Sequence, residues 1–213
     1  MPPKVKYQKE EIIRAALKVA SLRGIESVTA REVARELKVS TRPIFTYYET
    51  MEQLRQDVFE TAKKEYREYI LRGLAEPVPF LGIGRQFIRF ARKEPELYKL
   101  LFLTGPGRES GGATEAFRLS REMARESLMR IYHMDAFQAD CYFRDLWLVA
   151  FSFATLIVTN DCPYTDEEIS AVLTEISLSV CKAYKEIPGL AEGRFDRDII
   201  FTELVNQEEH NEA

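Results

Sequence analysis

Apolar residues recur at helical spacing along most of the 213-residue chain. Such spacing predicts helices that each bury one face, whereas no alternation typical of strands extends beyond a few positions. The first helix lies in EEIIRAALKVASLRG and ends at Gly24, a favourable C-cap residue. Its apolar face consists of Ile12, Ile13, Ala16, Val19 and Ala20.

The second helix begins in VTAREVARELKV at Thr29, which is predicted to form a capping box with Glu32. Val28 and Val33 fall at the N′ and N4 positions of this helix, where two apolar side chains staple a helix start. Ser40 is the expected cap of a short third helix.

Longer helices fill the rest of the chain. Thr50 with Gln53 opens a fourth helix, which runs to the EPVP break at 76–79. Thr165 with Glu168 opens the last clear helix. Helical segments are also predicted for FLGIGRQFIRFARK, PELYKLLFL, ATEAFRLSREMARESLMRIY and AFQADCYFRDLWLVAFSFATLIVTN, with a further one near 196–205. The predicted fold class is therefore all-α.

Charge is divided unevenly between the start of the chain and the rest. Residues 1–50 hold ten Lys and Arg against six Asp and Glu, a net charge of +4. Residues 51–213 hold twenty against twenty-eight, a net charge of −8. A basic start on an acidic body indicates that the first part of the chain meets an anionic partner.

Cysteine usage and hydropathy predict a cytoplasmic protein with no membrane partner. Cys141, Cys162 and Cys181 are odd in number and widely spaced, which suits a reducing compartment. The N-terminus MPPKVKYQKEE contains no apolar signal core. The most apolar run, Leu146–Thr159, has 14 residues, and a bilayer requires about 20.

Catalytic and metal-binding patterns are scarce. The two histidines, His133 and His210, belong to no HExxH or ExxH motif. No catalytic Ser/His/Asp or Cys/His combination is recognisable in the sequence either. The segment Gly107–Thr114 is close to a phosphate-binding loop, but Ala113 replaces the essential lysine. We therefore expect neither an enzyme nor a bound metal or cofactor.

The second and third helices together predict a helix-turn-helix unit. Ala34 is the small residue that lets the two helices approach. Ser40–Arg42 would face outward at the front of the third helix, where a recognition helix meets base edges. The apolar residues expected to lock the corner are Val33, Leu37, Val39, Ile44 and Tyr47.

From Glu10 to Leu54 the chain resembles the TetR family of bacterial transcriptional repressors. The resemblance is carried by RGIESVT, AREVARELKVS and TRPIFTYYETMEQL. It implies a homodimer that binds a palindromic double-stranded DNA operator and is released by a small ligand. Lys38 stands in the turn where the family often has glycine, which suits a positive φ. The match carries DNA contacts to Thr29, Arg31, Thr41, Arg42, Pro43, Phe45 and Tyr47, and Ser40 joins them at the front of the helix.

These contacts divide into positioning and reading roles. Phosphate contacts are expected from Lys4, Lys6, Thr29 and Tyr47, and base contacts from Arg31, Thr41 and Arg42.

Aromatic side chains are frequent in the second part of the chain. Each one alone is more simply a core residue, but as a set they would line an apolar cavity for an apolar effector. ARKEPELYKLLFL and LWLVAFSFATL resemble one subgroup of TetR C-terminal domains. The candidate lining residues are Phe87, Phe90, Tyr98, Phe102, Phe117, Phe143, Trp147 and Phe151.

Two apolar helices near the C-terminus predict the dimer interface within residues 137–186. Pairing them with the same helices of a second subunit would form a four-helix bundle. Residues 1–50 are thus predicted to form a three-helix DNA-binding domain, and 51–213 a helical domain for ligand binding and dimerisation. The apolar stripe of the last helix comprises Ile169, Val172, Leu173, Ile176, Leu178, Val180 and Ala183.

The function that combines these features is a ligand-responsive transcriptional regulator, expected to be a repressor. One alternative is an α-helical enzyme or small-molecule carrier with a basic accessory domain. Another is an architectural protein that binds DNA of any sequence.

Overall fold

The computed structural model describes residues 7–103 and 112–209, and the regular structure in these ranges is entirely helical. This confirms the predicted all-α class. A 3₁₀ turn at Ile25–Ser27 follows the first helix, and a π-helical segment, Lys99–Leu103, continues the sixth. The α-helices are α1 (Lys9–Arg23), α2 (Ala30–Leu37), α3 (Arg42–Tyr47), α4 (Met51–Leu74), α5 (Pro79–Lys93), α6 (Pro95–Tyr98), α7 (Gly112–Tyr132), α8 (Ala136–Val158), α9 (Asp166–Glu186) and α10 (Arg197–Glu209).

Local capping fixes several of the helix starts. The Thr50–Gln53 and Thr165–Glu168 boxes form as predicted, with both reciprocal hydrogen bonds present. Two further boxes, which the sequence analysis did not identify, use Gln8 with Glu11 and Asp135 with Gln138.

The box predicted at the start of α2 forms only by half. The Thr29 hydroxyl accepts the amide of Glu32 at 3.3 Å, as expected. The Glu32 carboxylate does not complete the box, because it pairs with Arg23 at 2.6 Å and with Arg35. An ion-pair network has therefore taken the place of the second capping bond.

One apolar core runs through the described parts of the molecule. Helix α1 packs on α2, α4 and α6, and α5 packs on α4, α8 and α9. Helix α4 contributes to this core from Leu54 to Gly73. Because α4 contacts α1 near the start of the chain and α5 and α7 further on, it joins the first three helices to the rest.

The crossing of α4 and α5 is a close approach of two backbones. A Cβ atom added at Gly73 would lie 2.6 Å from the Cα of Ile83, and one added at Gly82 would lie 2.3 Å from the Gly73 carbonyl oxygen. Real Cβ atoms are not found at such distances. The two glycines therefore set how closely α4 and α5 pack.

Helix α8 covers nearly all of the predicted segment AFQADCYFRDLWLVAFSFATLIVTN and is longer than its most apolar run, Leu146–Thr159. By length and composition alone it is the one helix in the described ranges that would suffice to cross a membrane. Half of its most apolar window is buried inside the protein, and it packs against α5, α7 and α9. These contacts are those of a core helix.

Candidate functional site

Helices α2 and α3 form a helix-turn-helix unit whose turn is made by Lys38. This residue has φ 57° and ψ 44°, a left-handed conformation. Its amide donates to the carbonyls of Ala34 and Arg35, and the Val39 amide donates to Ala34 at 2.9 Å. The position thus adopts the conformation that favours glycine, although lysine occupies it.

The inner side of α3 is anchored by Ile44, which is fully buried, and by Tyr48, which is 3% exposed. The Tyr48 hydroxyl donates to the Asp57 carboxylate at 2.8 Å, and Lys9 pairs with the same carboxylate at 2.7 Å. The prediction that Tyr47 helps to anchor the helix is wrong, because 38% of the surface of this residue is exposed. Of the other residues predicted to lock the corner, Val33 is buried and Leu37 and Val39 are half-buried.

Electrostatics reinforce this anchor. Burial, followed by the hydrogen bond to Asp57, raises the pKa of the Tyr48 hydroxyl well above its usual value. Burial alone would raise the pKa of Asp57, but hydrogen bonds from Lys9 and Tyr48 outweigh it and lower that pKa. At neutral pH the phenol therefore keeps its proton and donates to a charged carboxylate.

The outward end of α3 presents Ser40, Thr41 and Arg42, all of them exposed. Ser40 is not the helix cap that was predicted, since α3 begins at Arg42 and Thr41 occupies the cap position. With Ser40 as the cap, Pro43 would stand at the N3 position, where it has no amide hydrogen to donate to the cap side chain. The three side chains are free to meet a partner.

Arg31 and Arg42 carry unneutralised charge on the helix-turn-helix unit. Both side chains are exposed, and neither forms an ion pair within the described part of the chain. Other basic residues nearby are paired: Arg23 and Arg35 with one glutamate, and Lys18 with another. The free guanidinium groups are suited to phosphate or to base edges.

Two aromatic residues of α3 also reach the surface. Phe45 is 53% exposed, and the Tyr47 hydroxyl donates to the Tyr7 carbonyl at 3.0 Å. Pro43 is half-buried at the second position of the helix, where its missing amide hydrogen breaks no helical bond.

The remaining predicted phosphate contacts are placed only in part. Thr29 is exposed, and its hydroxyl caps α2. Lys4 and Lys6 lie outside the described residues.

Three of the eight candidate ligand residues line one apolar cavity between α4, α5, α8 and α9. These are Phe87, Phe143 and Trp147, and the cavity has a volume of about 20 Å³. The five other rings pack around this centre; Trp147 and Phe151, for example, stack at 4.9 Å between centroids. Those outside the cavity wall are Phe90, Tyr98, Phe102, Phe117 and Phe151.

Tyr66 connects this cavity to α4 and was missed by the sequence analysis. Its hydroxyl lies 2.7 Å from the Ser120 hydroxyl, which donates to the Ala116 carbonyl at 2.7 Å. Trp147 approaches Tyr66, but its buried Nε1 has no partner with hydrogen-bond geometry among the residues that the structure describes. Burial raises the pKa of Tyr66, so this hydroxyl stays protonated. The helical spacing of Phe59, Ala62, Tyr66 and Ile70 was the available signal.

The described residues contain no evident metal-binding site. Among the residues that the structure describes, no group of three or more His, Cys, Asp or Glu side chains could hold a metal ion.

Comparisons with known proteins agree with this architecture. Residues 12–58 match the family model for bacterial regulatory proteins of the tetR family, which confirms the resemblance seen in the sequence. A TetR-family member from Streptomyces coelicolor A3 shares the fold with a TM-score of 0.56 and 21% identity, over 79% of this chain and 96% of that one. A TetR variant from Acinetobacter baumannii AYE, in complex with minocycline, has a TM-score of 0.55 and 17% identity, over 84% and 97%. No curated protein matches significantly.

Proposed function

With a tetR-family match over residues 12–58 as the premise, we propose that this transcription regulator is a repressor that binds a palindromic operator as a homodimer. A small molecule bound in its body would release it from DNA. The observation that carries the proposal is the pair of exposed, unpaired side chains Arg31 and Arg42 on a helix-turn-helix unit with a buried anchor.

The front of α3 has the composition of a DNA-reading surface. Arg42 is able to bind guanine through two hydrogen bonds, and Thr41 through one. Ser40, Pro43 and Phe45 add polar and apolar contacts beside them. Arg31 extends this surface onto α2, and Thr29 and Tyr47 contribute phosphate contacts that set the position of the helix.

Apolar side chains left on the surface support a dimer through α8 and α9. Leu148 of α8 is 52% exposed and Leu178 of α9 is 67% exposed. Within one subunit, α9 fully buries only Ile169, Leu173 and Ser177. A four-helix bundle with a second subunit would cover the exposed leucines. The two-fold symmetry of this dimer would place its two recognition helices in successive major grooves, about 34 Å apart.

Effector release is supported by the contacts of the apolar cavity with α4. Tyr66 of α4 forms part of its wall, together with Trp147 of α8. A ligand that displaced either ring would move the middle of α4, whose start at Thr50 lies beside α3. The minocycline complex of the Acinetobacter protein is a precedent for a small molecule on this fold. Coupling of this kind requires that the ligand favour one of the two arrangements.

The test replaces Arg42 with alanine. The binding target is a duplex that the wild-type protein selects from random-sequence DNA. We expect Arg42→Ala to lose about 1–3 kcal/mol on this duplex, the range for one good base contact. Binding to unselected DNA at the same salt concentration should weaken much less. Fluorescence anisotropy measures both affinities.

Arg67→Ala is the matched control, because Arg67 is an exposed arginine of α4 without an ion pair in the described structure. It removes the same charge and should leave both affinities unchanged. An equal loss on selected and unselected DNA would make Arg42 a phosphate contact and refute its reading role.

The same experiment separates the alternative functions. An architectural protein would select no preferred duplex. An enzyme or carrier with a basic accessory domain would bind DNA no better than it binds heparin. The double change Arg31→Ala, Arg42→Ala would then weaken its binding to DNA and to heparin equally. These point substitutions are preferable to removing residues 1–50, since that removal would uncover the core that α1 shares with α4.

A further inference from the structure

A second cavity, larger than the apolar one, opens between α5 and α9. It is a groove with a volume of about 440 Å³, within the range of about 300–1,000 Å³ that is usual for small-molecule sites. Two buried apolar residues, Ile88 and Leu173, contribute to its lining. Four basic side chains of α5 also line it: Arg85, Arg89, Arg92 and Lys93.

Two of these four charges are already neutralised. Arg85 hydrogen-bonds to Glu76 with its Nε at 3.0 Å, and Arg92 pairs with Asp166 at 2.6 Å. Both ion pairs are at the surface, where they contribute little to stability.

Arg89 and Lys93 are the unneutralised pair. Both are exposed, and neither has an ion pair in the described ranges. They lie four residues apart on one helix, a spacing at which like charges repel each other. Helix α5 contains no acidic residue to relieve this repulsion. Residues 51–213 carry a net charge of −8, so this groove is a local region of positive charge on an acidic part of the chain. Such a region favours the binding of an anion.

The basic groove and the apolar cavity share one wall residue, Leu173. Gly84 lies on the cavity side, and a Cβ atom added there would be 3.5 Å from Leu173 Cδ1. Trp147 lines the same cavity. An apolar group that passed Leu173 would leave a charged rim and meet aromatic side chains. These rings would have to move apart to admit it, because the cavity behind Leu173 has a volume of only about 20 Å³.

We propose that the effector is an amphiphilic organic anion, which carries one carboxylate or phosphate on an apolar body. The anionic group binds between Arg89 and Lys93, and the apolar body follows Ile88 and Leu173 towards Trp147. The term effector rests on the proposed function, whereas the binding itself does not.

Binding of decanoate to the full chain tests this assignment. The emission of Trp147, the only tryptophan of the protein, and titration calorimetry are the two measurements. We expect decanoate to bind and to change the emission. Decan-1-ol, with the same chain and no charge, should bind roughly tenfold more weakly, as the loss of one charge-assisted hydrogen bond implies. Acetate, the anion without the chain, should leave the emission unchanged.

The double variant Arg89→Ala, Lys93→Ala should weaken decanoate binding by at least about tenfold and leave decan-1-ol binding unchanged. Its matched control is Arg67→Ala, Arg130→Ala, which removes two exposed charges outside the groove. Equal affinity for decanoate and decan-1-ol, or an undiminished affinity in the double variant, would overturn the proposal. Acetate binding as tight as that of decanoate would also overturn it.

Failure of this inference is distinguishable from failure of the proposed function. A protein that prefers its selected duplex but binds no decanoate refutes only the effector class. A protein that binds decanoate but selects no duplex refutes only the regulator.

Discussion

Lys38 shows how one residue sets the angle between α2 and α3. Its left-handed backbone costs a side chain about 1–2 kcal/mol. Glycine would avoid that cost but would lose more conformational entropy on folding, about 0.5–1 kcal/mol. The strain that lysine bears at this position is therefore larger than the entropy that glycine would lose.

We expect Lys38→Gly to raise the free energy of unfolding by about 0.5–1 kcal/mol, the difference between these two contributions. For a chain of this length, that corresponds to a thermal midpoint about 1–4 °C higher. Lys38→Ala is the control, because it removes the side chain and retains the strained Cβ. Stabilisation of the alanine variant by the same amount would show that strain is not the cause.

Asp57 is expected to stabilise α3 through Tyr48 and Lys9. Asp57→Ala should cost about 1 kcal/mol, a low value because the carboxylate is partly exposed. The folded pKa of Asp57 is lowered, so its contribution is present above the unfolded pKa of about 3.9. It is lost as pH falls through the folded value. Urea unfolding of both proteins between neutral and acid pH measures this.

The difference in stability between the wild type and Asp57→Ala should thus shrink on acidification. A difference that stays constant down to pH 2 would mean that the charge of Asp57 is irrelevant. Tyr48→Phe serves as the control, since it removes a neutral donor and leaves the ion pair with Lys9.

Residue roles were predictable from the sequence only where the backbone follows a regular helix. Ile44 is buried as its position predicts. The pattern failed one turn later, with Tyr47 and Tyr48. Helix α3 ends at Tyr47, and Tyr48 has an extended backbone, φ −127° and ψ 125°. Helical spacing places both Tyr47 (i+3) and Tyr48 (i+4) on the face of Ile44, so it does not tell which of the two rings is buried; the end of the helix decides this in favour of Tyr48.

At the scale of elements, the sequence located the helices because their signals are local. The capping boxes of α4 and α9 involve residues three apart, and both formed. The crossing of α4 and α5 was not predictable, because the contact between Gly73 and Gly82 forms only when the chain reverses direction between the two helices, and no helical pattern encodes it. The hydrogen bond between Tyr66 and Ser120 spans 54 positions and escaped prediction because no local pattern joins residues so far apart in sequence.

The glycines of this crossing provide a test. Gly73→Ala and Gly82→Ala should each destabilise the protein by at least about 1–3 kcal/mol, the usual cost of overpacking. The backbone atoms they would meet have no room to move without separating α4 from α5. Gly84→Ala is the matched control on α5, because its new methyl group would lie at an ordinary contact distance. Thermal unfolding that ranks the three variants equally would contradict this account.

At the scale of the whole molecule, the expected homodimer leads to a prediction for Leu178. Leu178→Glu should separate the subunits, since it places a charge in the proposed four-helix bundle. The subunit itself should remain folded, because Leu178 is 67% exposed. Ile176 is a poorer choice for this purpose, since it is half-buried within one subunit. Sedimentation and binding to the selected duplex measure the effect.

Leu71→Glu is the control for this experiment, because Leu71 is an exposed leucine of α4 outside the proposed interface. It should sediment like the wild type. A monomeric Leu178→Glu protein with unchanged affinity for the full duplex would contradict the need for a dimer. A wild-type protein that is monomeric at micromolar concentration would contradict it more directly.

Helix α4 has a consequence for how such proteins diversify by recombination. The family match ends at residue 58, inside a helix that continues to Leu74. An exchange of gene segments at that point would join two halves of α4 from different proteins. Each half would carry side chains that pack against helices of its own parent protein. A chimaera that inherits α4 whole would avoid this mismatch within the helix and would meet new neighbours along one side of it only. The residues of α4 are therefore expected to change together with the side chains of α1, α5 and α7 that they contact.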